Sequence, residues 1–216
     1  MSQDVVMYNI VTKATDKPDK CPNCKKFGHI YSTIAWSPAL FSNETDVKIL
    51  SSSCYGLGYR RFYRINQFLS TGYNIALLGN GYNIKQKENK NIHDTVLHDK
   101  ETYYVNYAGA EWFFRINFDK RRGMYVGHFL DLGFYSGYHY TRQRFIQDNT
   151  DQGVKVKIWY KNVNYLENYQ YGLCARVGFN RYVLMARYRM TDIINPQTDF
   201  NQLPRMTFGL EIGLHL

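Results

Sequence analysis

No run in this 216-residue chain approaches the roughly 20 consecutive apolar residues of a membrane helix. The mean hydropathy of −0.47 looks soluble, but it weighs little against a membrane barrel, whose alternating strands dilute the signal. The opening MSQDVVMYNI lacks the apolar core of a signal peptide. SQDVV after a lone Met reads instead as a mature start from which a leader has been removed. Apolar residues at the helical period of 3.6 are nearly absent. There are only five prolines. Lys plus Arg is 27 against 18 Asp plus Glu, a net charge of +9. The basic residues are scattered and no RNA- or DNA-binding motif is present, so nucleic acid is not an expected partner.

Cysteine is too scarce for a complete zinc site. CPNCKKFGH, from Cys21 to His29, has the C-x2-C-x4-H spacing of a zinc knuckle. A closed site needs four N or S ligands, and the fourth position here is Ile34. Cys54 and Cys174 are far away in different surroundings. Cys21 and Cys24 therefore read as a disulfide or a pair of thiols in an oxidising compartment, with no metal and no cofactor.

Aromatics are abundant. Twenty Tyr and 13 Phe, with 16 Gly, exclude disorder and favour β structure. From about residue 29 the pattern has period two. SCYGLGYRRF sets Tyr55, Leu57 and Tyr59 against Cys54, Gly56, Gly58 and Arg60. NYQYGLCARVGF sets Tyr169, Tyr171, Leu173, Ala175, Val177 and Phe179 against Gln170, Gly172, Cys174, Arg176 and Gly178. VGHFLDLGFYSG sets Val126, Leu130, Leu132 and Phe134 against Asp131, Gly133 and Tyr135. The last stretch, RMTFGLEIGLHL, alternates from Met206 to Leu216. With FLSTGYNIALL, RYVLMARYRM, HIYSTIAW and YYVNYAGAEWFFRINF the total is about eight strands. FYRINQ, DKRRG and NR are short connections, whereas 37–50, 79–101, 140–164 and 191–203 are long and polar. Short turns at one end and long loops at the other predict a single antiparallel up-and-down transmembrane β-barrel with a polar interior, over residues 29–216. Residues 1–28 form an N-terminal periplasmic arm.

Each strand has one apolar-aromatic face and one face of glycine and charge. The charged set is Arg60, Glu111, Arg115, Asp131, Arg176, Arg187, Arg189, Glu211 and His215. Glycine weakens a solvated strand but suits a narrow barrel interior. The charged face is therefore expected inside, as a salt-bridged plug or an ion pathway, and the aromatic face in lipid. The alternative is a soluble lipocalin-like ligand binder with an apolar cavity.

The segment WFFRINFDKRRGMYVGHFLDLGFYSGY resembles the small outer-membrane β-barrel proteins of Bacteroidetes related to the PorT-like barrels. The ending LPRMTFGLEIGLHL resembles their last strand. The resemblance implies an OmpA-like eight-stranded barrel in the bacterial outer membrane. It also implies a non-enzymatic structural or accessory role in secretion or outer-membrane assembly. The expected partners are outer-membrane lipid and lipopolysaccharide, with other outer-membrane or periplasmic proteins.

Three further features have competing readings. Ser136, His139 and Asp131 lie close enough in sequence for the nucleophile, base and acid of a lipid-modifying enzyme, but 136 and 139 fall on opposite faces of a strand. His128 is expected to face lipid. The basic turn Lys120, Arg121 and Arg122 could meet lipopolysaccharide phosphates or be an ordinary charged turn. KQKENKNIHDTVLHDKE reads as a mobile outer loop with His93 and His98 in solvent. Cys54 and Cys174 both face the lumen on strands that are not neighbours, so no bond between them is expected.

Overall fold

The computed structural model describes residues 24–41, 44–88, 90–92, 96–119, 125–149, 154–197 and 200–214. There is no α-helix among them. Nine strands form: β1 (Lys26–Trp36), β2 (Ser53–Arg64), β3 (Leu69–Asn83), β4 (Lys100–Asn117), β5 (His128–Asn149), β6 (Lys155–Lys161), β7 (Tyr169–Phe179), β8 (Tyr182–Arg189) and β9 (Met206–Leu214). Eight of them close a ring in the order β1-β2-β3-β4-β5-β7-β8-β9, with β9 returning to β1. Every pairing between named strands is antiparallel. Closure leaves no open edge around the ring.

Alternation in sequence becomes alternation in burial. Along β7 and β1, buried and more exposed residues change places at every step, as the two-residue period of a strand requires. The expected faces hold on all ring strands, with two departures at the start. β1 begins at Lys26, inside the segment assigned to the arm. Val126 precedes β5 and is buried rather than outward, because it packs with Phe129 and Val183 across the short-turn end of the ring.

The turn between β2 and β3 is shorter than FYRINQ: Phe62, Tyr63 and Arg64 are still strand, and only 65–68 turn. Asn66 holds it, its Oδ1 accepting from Phe68 N (2.8 Å) and Leu69 N (2.7 Å). Between β7 and β8, Asn180 takes φ of 57°, a left-handed conformation that Asn tolerates better than most residues.

The long connections differ most from expectation. β3 runs on to Asn83, β4 starts at Lys100, and β5 reaches Asn149. Much of 140–164, and both ends of 79–101, are therefore strand. β7 pairs with β5 only as far as Tyr138. Past that point β5 is flanked by β4 on one side and β6 on the other, a three-stranded ribbon that rises above the ring. The register shifts where it leaves the ring: Tyr107 pairs with His139 but Asn106 with Thr141. Such a bulge bends and twists a strand locally.

The loops at this end are also packed. Val47, Ile84, Ile92, Val163, Leu166, Ile193, Ile194 and Leu203 join Tyr82, Tyr103 and Val105 in one buried cluster. The KQKENKNIHDTVLHDKE stretch contributes Ile92 and Lys90 to this cap, both buried. His98 is not in solvent: its Nδ1 lies 2.8 Å from Asp148 Oδ2, and its side chain is 11% exposed. His93 lies outside the described residues.

Candidate functional site: a charged, filled lumen

The inward positions of the ring build a stack of layers. At the short-turn end Phe27, Phe62, Phe113, Val126, Phe129 and Val183 form an apolar plug. Arg115 from β4 sits in it. Its Nε and Nη2 donate to the two carboxylate oxygens of Asp131 on β5, at 2.7 and 2.8 Å. Its guanidinium carbon is 3.5 Å from the centre of the Phe129 ring and 4.5 Å from that of Phe62. Paired, bidentate and stacked on aromatics, a guanidinium tolerates removal from water.

In the middle layer Arg60 (β2) pairs with Glu211 (β9), and Arg176 (β7) pairs with both Glu211, at 3.1 Å from Nε, and Glu111 (β4). Arg187 (β8) is farther, 3.6 Å from Glu111 and 3.9 Å from Glu211. Arg60, Arg176 and Glu211 are each 1% exposed or less. β4 and β7 are not sheet neighbours, so the Arg176–Glu111 pair crosses the lumen. Arg60 also lies over the Tyr31 ring at 4.5 Å, and Tyr31 donates to Asn74 Oδ1 at 2.9 Å. Above this layer Arg189 donates to the carbonyls of Leu203 (2.7 Å) and Thr191 (3.0 Å).

Glycine on the inward face makes room for rings. A Cβ on Gly58 would stand 2.4 Å from the Tyr31 ring, and one on Gly178 would stand 2.1 Å from that of Phe129. Real Cβ atoms are not found so close, so these rings pack over glycine because glycine has no side chain.

All eight described members of the charged set point inward and are buried. His215 lies outside the described residues, as do Lys120, Arg121 and Arg122. Cys54 and Cys174 are buried free thiols on β2 and β7. Cys24 is disulfide-bonded, and Cys21 lies outside the described residues.

Ser136, His139 and Asp131 are not brought together. Ser136 points outward, His139 points inward with Nδ1 2.8 Å from Glu167 O, and Asp131 is held by Arg115. His128 is exposed at the short-turn end, with Nδ1 2.8 Å from Asp119. No group of three or more His, Cys, Asp or Glu side chains with metal-binding geometry occurs among the described residues.

A second buried ionic cluster, in the cap, was missed from sequence. Glu101 accepts from Lys90 Nζ (2.9 Å), Arg144 Nε (2.7 Å) and Tyr103 Oη (3.1 Å). Burial opposes its ionisation, yet the Lys90 hydrogen bond and the Arg144 charge hold its carboxyl below the ordinary glutamate value. A signal was present: Glu101, Tyr103, Val105 and Tyr107 keep the parity of Glu111 and Arg115.

A scan against protein-family models finds no matching family, and a search of curated proteins finds no relative. Among solved structures the chain is similar to Ail, the attachment invasion locus protein of Yersinia pestis, solved in complex with the heparin analogue sucrose octasulfate. The two are 12% identical, with a TM-score of 0.39, and the match covers 87% of this chain and 96% of that one. By its own strand pairing, this chain is a closed, antiparallel, eight-stranded β-barrel with a charged and filled lumen.

Proposed function

We propose that this protein is an integral barrel of a bacterial outer membrane, non-enzymatic, serving as a structural or accessory subunit of a membrane complex. The observation that carries the membrane reading is inverted polarity. Arginines and carboxylates fill the inside of the ring, while Leu57, Ile75, Leu77, Leu132, Leu173, Leu184 and Leu210 stand exposed around its outside. In water that arrangement would expose a continuous apolar belt, which soluble monomers avoid. In lipid it satisfies every requirement, since the closed ring also pairs its backbone groups internally.

The dimensions agree. β7 has 11 residues, matching the about 9–11 that a tilted strand needs to cross. Trp36, Tyr55, Tyr138, Tyr140 and Tyr169 stand outward toward the long-loop end, and Phe118, Phe179 and Tyr182 toward the other. Aromatic girdles at both interfaces have this placement. Short turns then face the periplasm, where β1 begins and β9 ends, and the packed cap faces outward.

The accessory role rests on the filled lumen, which offers no route for a substrate, and on the sequence resemblance to PorT-like barrels. The exposed ribbon ending in β6 supplies a contact surface. All seven residues of β6 are exposed, with Lys155, Lys157 and Lys161 among them. The test is purification of the tagged protein from outer membranes in mild detergent, with mass spectrometry of what stays bound. Stoichiometric outer-membrane or periplasmic proteins are the expected result. Recovery of the barrel alone would overturn the accessory role. Recovery in the aqueous fraction without detergent would overturn the membrane reading itself.

A further inference from the structure

Charge in the lumen does not balance. Among the described residues, Arg60, Arg115, Arg176, Arg187 and Arg189 on the inner face of the ring are matched there by Glu111, Asp131 and Glu211. Five guanidinium groups meet three carboxylates, one in the short-turn plug and two in the middle layer. Asp131 is occupied by Arg115, Glu111 by Arg176, and Glu211 by Arg60 and Arg176, with Arg187 farther from both glutamates.

The excess is local. Arg189 is 4% exposed, and its hydrogen bonds go to neutral acceptors: the carbonyls of Leu203 and Thr191, and Tyr82 Oη at 3.5 Å. Among the described residues no carboxylate forms an ion pair with it. Arg187 is 5% exposed, donates from Nη1 to Tyr107 Oη at 3.1 Å, and leaves Nε with no partner. Arg187 Nη2 reaches Glu111 at 3.6 Å and Glu211 at 3.9 Å, so the cation without a carboxylate is Arg189 and the donor without an acceptor is Arg187 Nε, and both are costly when buried.

Both arginines line the same small cavity, about 20 Å³, with Tyr82, Tyr107, Tyr135 and Gln170 around it. That is room for one water-sized particle. A water would satisfy a donor but leave the charge. A monoatomic anion of similar size does both. Tyr107, accepting from Arg187, keeps its own hydroxyl proton to donate.

We infer that this cavity is a binding site for a small monovalent anion of the halide class, chloride in the natural setting, held by Arg187 and Arg189. The ion acts as the missing counter-charge of the upper lumen and stabilises the folded barrel.

The test is equilibrium urea unfolding of the barrel in a zwitterionic detergent, in sodium chloride, bromide, sulfate or gluconate at matched ionic strength. Above the dissociation constant, each tenfold rise in chloride or bromide is expected to lower the unfolding equilibrium constant about tenfold. Sulfate and gluconate, too large for the cavity, are expected to give no such dependence. Arg189→Gln is expected to abolish the halide effect. Equal behaviour of all four salts would overturn the inference. A second measurement does not depend on a variant folding: anomalous diffraction from wild-type crystals grown in bromide. A peak between Arg187 and Arg189 supports the site, and its absence from the cavity overturns it.

Discussion

Glu211 has two close arginine partners, Arg60 and Arg176, with Arg187 farther at 3.9 Å, and the side chains of Glu211, Arg60 and Arg176 are all buried. Glu211→Gln would keep the shape and remove the charge, leaving Arg60 without its carboxylate and Arg176 with only Glu111. Breaking a buried pair from one side costs about 3–5 kcal/mol. The variant is therefore expected to unfold at clearly lower urea concentration, read by loss of the compact gel band. The inward direction of Glu211 is legible in RMTFGLEIGLHL, because parity alone assigns a face. Its partners are not. Arg60 is 151 residues away and Arg176 is 35, and they meet it only because the ring closes with one register.

At the scale of elements, the closing seam between β1 and β9 depends on a small residue. Gly209 pairs with Ala35, and a Cβ there would lie 2.3 Å from the Ala35 Cβ and 2.4 Å from Ile34 O. Gly209→Val is expected to destabilise the barrel by at least the about 1–3 kcal/mol of an overpacked core, with early hydrogen exchange of β1 and β9 amides as the local readout. The cap has a pH signature instead. The Glu101 carboxyl titrates below its ordinary value of about 4.3. Its contribution is then complete above that value and lost as pH falls through the lowered one. The Ile92 methyl resonance is expected to hold its position from pH 7 to about 4.5 and to move only below. A shift near neutral pH would contradict the Lys90–Glu101–Arg144 arrangement. β6 shows why the cap was hard to foresee. VKVKIWYK alternates everywhere but at Trp159, yet both of its faces are exposed, so its alternation marks a strand without a buried side. It is ordered by pairing with β5 and by Trp159 packing on Phe145 and Tyr104, with ring centres at 4.6 and 5.7 Å.

For the whole molecule, the filled lumen predicts electrical silence. An eight-stranded ring has an interior just wide enough for side chains, and here an aromatic plug, an ionic layer and a cap occupy it in succession. Reconstituted in a planar bilayer, the protein is expected to give no steady conductance above background. Discrete openings would show that the plug or the cap moves aside. Folded and heat-denatured samples are expected to migrate differently on a gel, because closure joins β1 to β9 and resists detergent until the ring is broken.

The amino-acid pattern by itself determined that this protein is built of strands, about eight in the ring, with glycine and charge on one face and aromatics on the other. Period-two alternation is a local property, and each residue of NYQYGLCARVGF or SCYGLGYRRF carries its share of it. Tertiary structure decided what depends on distant segments meeting. Ring closure set which carboxylate each arginine pairs with, and it left Arg189 with none among the described residues. Packing between loops far apart in sequence turned a polar stretch into a cap with Lys90 and Ile92 inside. Charge balance in a closed space is a property of the whole ring, which no single strand contains.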